Sequence, residues 1–215
     1  MTNRRKITAI ILFVASFSFI EASVVAYLQK AFFAGGSAIF PLRVIEQKYL
    51  VIEIIREAVT LILLFAASLM LENGRWRTLW MFSILFAGWD ILYYVWLRVL
   101  VGFPSSLLDW DVLFLIPAPW LAPVIAPVTT AVLMIVFSCL MLRKDDSSLS
   151  GIEMTGCALS TLLVIWSFVY DSFGSVISGA NSLTGFVPAG YHWGIFIAGL
   201  AIWIVSMGHA ALIRK

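Results

Sequence analysis

Set out as apolar against polar positions, the chain divides into long hydrophobic runs at about 7–28, 49–71, 78–100, 119–142, 152–172 and 191–213. At ~1.5 Å of rise per residue, a helix of such a length crosses a hydrocarbon layer of ~30 Å. The pattern predicts an all-α fold, a polytopic bundle of six transmembrane helices, with residues 1–215 forming a single transmembrane domain. The first run follows Asn3-Arg4-Arg5-Lys6, a basic start that a signal peptide would share. Its length, the Glu21 inside it and the lack of a convincing cleavage site favour an uncleaved span.

Composition sharpens this picture. The chain is 62% hydrophobic and 12% charged, with a mean hydropathy of +1.01, whereas soluble domains are about half apolar and a quarter charged. Arg4, Arg5, Lys6, Arg75, Arg77, Arg143, Lys144, Arg214 and Lys215 fall at one side of the spans, against Lys30, Arg43 and Lys48 at the other. Basic loops stay cytoplasmic, so both termini are expected there. The net charge of +2 is this bias alone, and it points to the lipid bilayer as partner and away from nucleic acid. Cys139 and Cys157 lie near cytoplasmic helix ends, where thiols stay reduced.

The acids break the pattern. Counting ~1.5 Å per residue from the outer end of each run, Glu21 lies roughly 10 Å and Glu57 roughly 12 Å deep, with Asp90 at a comparable depth on a third span. Glu53, Arg56 and Glu57 share one face of the second span by their i, i+3, i+4 spacing, and Asp90, Tyr94 and Arg98 recur every four residues along the third. Four ionised acids facing lipid singly would cost on the order of 10 kcal/mol, so Glu21, Glu53, Glu57 and Asp90 are expected to face inward. Arg56 and Arg98 are the intramembrane cations available to them, which leaves a deficit of positive charge. Protons, a bound divalent metal ion or a cationic substrate would fill it. The expected metal ligands are Glu21, Glu53, Glu57, Asp90 and His192, with Arg56, Tyr94, Arg98, Asp109 and Asp111 supporting the pocket.

The stretch LDWDVLFLIPAPWLAPVIAP, residues 108–127, places two aspartates and four prolines in an otherwise apolar run. Pro119, Pro123 and Pro127 each lack an N–H and would leave the carbonyls of Leu115, Pro119 and Pro123 without helical partners. Irregular backbone at membrane depth is tolerated only where protein encloses it. A re-entrant or amphipathic segment between the third and fourth helices, covering the acidic pocket, is therefore expected.

Plainer readings compete with these. Glu53 and Arg56 also suit a simple intrahelical ion pair, Asp109 and Asp111 a solvated capping loop, His192 an interfacial residue and His209 a structural one. Gly156 with Ser160, and Gly194 with Ala198 and Gly199, read as small-residue helix contacts, and FGSVISGANSLTG, residues 173–185, as a mobile outer loop. The sequence carries no Glu-x-x-His, His-Glu-x-x-His, Gly-x-Ser-x-Gly or Walker motif.

The strings EASVVAYL, IEIIREAVTL, WDILYYVWLRVLVGFPSSLLDWDVLFLIPAPW and APVIAP resemble a family of uncharacterised bacterial polytopic integral membrane proteins. The resemblance covers roughly the first two-thirds of the chain. It implies a bacterial cytoplasmic (inner) membrane location and carries no activity, cofactor or site residue with it. Three functions stay open: a membrane metalloenzyme acting on a lipid-soluble small molecule, a proton- or cation-coupled transporter of small solutes, and an accessory subunit of a larger complex whose protein partner the sequence does not name.

Overall fold

The computed structural model describes residues 3–32, 47–116, 118–178 and 190–213. Six α-helices carry the fold: α1 (Asn3–Phe32), α2 (Gln47–Leu71), α3 (Arg75–Val101), α4 (Ile125–Leu142), α5 (Gly151–Ser178) and α6 (Trp193–Gly208), the last continuing into a π-helical turn, His209–Ile213. Two short strands, β1 (Trp110–Val112) and β2 (Leu121–Pro123), lie between α3 and α4.

Five of these helices, all but α2, are long and apolar enough to cross a membrane. Side chains such as Met70 and Ile152, each 88% exposed, sit on the outside of the bundle. That is the arrangement of a helical membrane protein, in which lipid rather than water meets the outer apolar surface. In α2, charges at Glu53, Arg56 and Glu57 occupy the first turns. Its charge-free stretch runs from Ala58 to Leu71, about 21 Å at the helical rise, short of the ~30 Å hydrocarbon layer.

One end of the bundle is laced together. Lys6 donates to Glu72 at 2.6 Å, Arg77 to Glu72 at 3.0 Å and to the Leu142 carbonyl at 3.3 Å, and Lys144 to the Ala210 carbonyl at 2.7 Å. Trp80 donates its indole N–H to the Ser147 carbonyl at 2.8 Å, and His209 Nδ1 lies 2.8 Å from Glu153 Oε1. These contacts join the starts of α1, α3 and α5 to the ends of α2, α4 and α6, so neighbouring helices alternate in direction. α3 lies at the centre, packed on α1, α2 and α4; α5 and α6 pair with each other, and α4 and β2 tie the two groups together.

The apolar run expected to form a span over 119–142 begins its helix only at Ile125. Residues before it form an antiparallel hairpin, with Trp110 opposite Pro123, Asp111 opposite Ala122 and Val112 opposite Leu121. Bonds from Leu113 N to Trp120 O (2.8 Å), Trp120 N to Phe114 O (2.7 Å), Val124 N to Asp109 O (2.9 Å) and Ile125 N to Leu107 O (2.8 Å) extend the pairing beyond the strands. The prolines explain the change: Pro119 and Pro123 cannot donate to a helical ladder, whereas Pro127 sits in the first turn of α4, where no N–H is needed. The Pro119 carbonyl accepts the Ser172 hydroxyl. All three β2 residues are buried, and Ala122, Ala126, Val164, Phe168 and Phe196 form one core cluster that seats the hairpin on α5 and α6. Of the stretch 173–185, residues 173–178 continue α5 and the remainder lies outside the described residues.

Candidate functional site

The acids of the half of the bundle opposite the laced end fall into three groups around the central helix. The first joins α1 to α2. Arg56 donates to Glu21 and, through Nε at 3.1 Å and Nη2 at 2.5 Å, to both oxygens of Glu53. Glu21 is 5% exposed, so its charge is answered inside the protein by the one arginine that also fixes Glu53. The intrahelical pair expected between Glu53 and Arg56 is present, and the same guanidinium is the bridge to α1.

The second group is Glu57 and the hairpin. Both carboxylate oxygens of this buried residue accept from the Leu115 backbone N–H, at 3.1 and 2.9 Å. The residue after Arg56, Glu57 thus holds the segment that follows β1 down against α2. A carboxylate accepting a backbone N–H satisfies a donor that a non-helical segment would otherwise bury unpaired.

The third group is Asp90, Tyr93, Tyr94 and Asp111. Tyr94, 6% exposed, donates its hydroxyl to Asp111 Oδ2 at 3.0 Å, and the Val112 N–H reaches Asp111 Oδ1 at 2.8 Å. Burial pushes the Asp111 carboxyl up to about 6, against the opposing pull of those two hydrogen bonds. Asp90 lies within electrostatic reach of Asp111, like charge beside like charge, and among the described residues nothing donates a hydrogen bond to it. Tyr93 stands between the groups, within reach of Arg56 and Glu53 on one side and of Asp90 and Asp111 on the other. Its ring meets that of Tyr94 edge-on at 5.3 Å.

Several expected members lie elsewhere. Arg98 is exposed and donates to the carbonyls of Gly102 (2.7 Å) and Pro104 (2.9 Å), closing the C-terminus of α3 rather than meeting the acids. The sequence signal for this was the glycine itself: Gly102 takes the left-handed conformation, φ +75°, that ends helices, and a cation in the last turn favours the exposed carbonyls. Asp109 is likewise a turn residue. Its Oδ2 accepts from Ser105 N and Oγ, both at 2.7 Å, and from Ser106 N at 3.2 Å. The Ser105 hydroxyl above all, with the Ser105 and Ser106 amides, lowers its carboxyl below the usual value.

His192 Nε2 lies 3.0 Å from Asp171 Oδ1, and its ring sits 4.1 Å from that of Tyr170, so it serves the junction of α5 and α6. Among the described residues, no three of His, Cys, Asp and Glu are grouped to hold a metal ion. The proposed five-ligand set is divided by geometry: Glu21 and Glu53 on Arg56, Glu57 on a backbone amide, His192 on Asp171, and Asp90 beside Asp111. The sequence reading also passed over the indole N–H groups of Trp89 and Trp120, both buried without an acceptor beside Phe114. No short motif announces such groups, since tryptophans in a membrane protein read first as interface residues.

The chemistry follows from the charge balance. Arg56 is the one cation bonded to these acids among the described residues, and two glutamates already share it. Among the described residues, Asp111 has the Tyr94 hydroxyl, and no cation is bonded to it or to Asp90. Comparison of the chain with protein-family models, with curated proteins and with solved structures finds no match to any of them.

Proposed function

We propose that this chain is a cation-binding protein of the bacterial inner membrane, with six spans and cytoplasmic termini, and that Asp90 and Asp111 hold the cation in the outer half of the bundle. The observation that carries the reading is the position of Asp90: within electrostatic reach of the buried Asp111 carboxylate, with no hydrogen-bond donor among the described residues. Two acids in apolar surroundings need a balancing positive charge, the proton included. The Tyr94 hydroxyl and the Tyr93 ring supply polar lining without charge.

A proton or a weakly held monovalent cation suits two carboxylates. A divalent metal prefers six or more oxygens and would need ligands beyond these. The site therefore favours a proton- or cation-coupled carrier of small solutes over a metalloenzyme working on a lipid-soluble substrate. Buried Ser68, Ser138 and Ser160 add polar groups further along the bundle.

The test is the unfolding midpoint of purified protein, followed from pH 4 to 9 and with sodium, potassium, magnesium and manganese salts. The wild type is expected to respond to pH or to one of the cations, and Asp90→Asn combined with Asp111→Asn to lose that response. An identical response from both proteins overturns the proposal.

A further inference from the structure

At the laced end, far from these acids, a groove of about 620 Å³ opens between α2, α3 and α5. Its walls are Phe65, Leu69, Leu79 and Met154, all between 41% and 54% exposed, and its rim is Asn73, Gly74 and Arg75. We propose that this groove binds one anionic phospholipid, with the phosphate at Arg75 and the start of α3 and an acyl chain along Phe65, Leu69 and Leu79.

Charge argues for this occupant. Glu72 is the acid at the rim, but Lys6 at 2.6 Å and Arg77 at 3.0 Å both hold it, so the three together are positive. Arg75 adds a further charge. No carboxylate among the described residues pairs with it, and its guanidinium rests over the Trp76 ring, 4.9 Å from the centroid. The first ladder bond of α3 runs from Thr78 N to Gly74 O, and no side chain caps the helix. The amides of its first turn thus face the rim with the positive end of the helix dipole. Gly74, at φ +87°, keeps the approach open: a Cβ there would meet nothing within 4 Å.

Shape argues for lipid over a soluble anion. An inorganic phosphate would use the rim and leave the apolar walls unused, whereas a phospholipid uses both at the level where headgroups and chains meet. A cation near an anionic surface contributes about 1 kcal/mol, so Arg75 alone accounts for roughly a fivefold preference.

Native mass spectrometry of the delipidated full chain in detergent tests the assignment, with phosphatidylglycerol, phosphatidylcholine and glycerol phosphate as probes. Phosphatidylglycerol is expected to stay bound at one per chain, about fivefold or more tighter than phosphatidylcholine. Arg75→Gln, an exposed change, should remove that preference while leaving the unfolding midpoint in detergent alone unchanged. Leu69→Trp, which fills the groove but keeps the rim, should weaken both lipids. Equal retention of the two lipids by the wild type, unchanged retention in both variants, or glycerol phosphate binding as tightly as the lipid would each overturn the proposal. The site shares no residue with Asp90 and Asp111, so the two tests fail independently.

Discussion

Tyr94 of α3 donates its hydroxyl to Asp111 of β1 at 3.0 Å, and this single bond ties the central helix to the hairpin across the most acidic part of the interior. Asp111 has its carboxyl raised by burial from 3.8 to about 6. An acid held above its unfolded value binds its proton more tightly when folded. Its stabilising contribution is complete below about pH 4 and is lost as pH rises towards 6, beyond which the buried charge opposes folding. Asp111→Asn should flatten that window and make the protein more stable at pH 8, by on the order of 3 kcal/mol at most. Tyr94→Phe removes a bond that favours the charged form, so the loss with rising pH should steepen. Unfolding midpoints in mild detergent at pH 4, 6 and 8 read both effects. A pH profile unchanged by Asp111→Asn would show that this carboxyl does not titrate there.

Arg56 holds two glutamates from different helices. Arg56→Met leaves both without a counter-ion, and breaking a buried pair from one side costs about 3–5 kcal/mol. With 22% of the arginine side chain exposed, the lower end, about 3 kcal/mol, is expected. Neutralising the partners should recover part of the loss: the triple change Glu21→Gln, Glu53→Gln, Arg56→Met ought to unfold later than Arg56→Met alone. A triple variant no more stable than the single one would mean that Arg56 acts through packing rather than charge.

At the other end, burial raises the Glu72 carboxyl, but hydrogen bonds and charge from Arg77 and Lys6 outweigh it and leave the group below its usual value. A depressed acid stabilises above its unfolded value of 4.5, and that contribution disappears as pH falls through the folded value. Glu72→Gln should thus cost about 1 kcal/mol at pH 7, after discounting for the part-exposed Lys6 and Arg77, and nothing at low pH where the wild-type acid is protonated. High salt should shrink the difference at pH 7. Denaturation of both proteins at pH 3 and 7 decides it; a gap as large at pH 3 as at pH 7 would point to lost packing.

How much of this could be read beforehand depends on whether a local signal existed. The apolar runs located the six helices among the described residues, five of them long and apolar enough to cross a membrane, because a membrane helix must satisfy its backbone within one continuous segment. The hairpin was hidden inside such a run: residues 119–127 are as apolar as a span, and only the proline spacing marked them as unfit for one. In the site, the i, i+3 pair of Glu53 and Arg56 was legible as local geometry, and so was the inward position of Glu21 as a matter of cost. The bond from Leu115 to Glu57 was not, since a backbone amide donates alike in every residue and leaves no mark in the side-chain pattern. Arg98 was misread because a four-residue stripe with Asp90 and Tyr94 outweighed the stop signal of Gly102, four residues further on, directly after the last residue of α3.

The pairing of α5 with α6 rests on Gly199, read in advance as a small-residue contact. A Cβ built there would lie 2.9 Å from Val164 Cγ2 and 3.2 Å from both Leu163 Cβ and the Ser160 carbonyl oxygen. Val164 is β-branched and buried, with little freedom to turn aside, and the carbonyl belongs to a helix backbone. Gly199→Ala should therefore push the helices apart and cost about 1–3 kcal/mol, as overpacking does. Gly194, read in advance as part of the same contact, is not one: a Cβ there meets nothing within 4 Å, so Gly194→Ala, the control, adds helix propensity without a clash and should be neutral or stabilising by up to about 1 kcal/mol. Unfolding midpoints of the two alanine variants in the same detergent separate the cases. If Gly199→Ala unfolds no earlier than Gly194→Ala, the close approach of α5 and α6 at this turn is not what holds the pair.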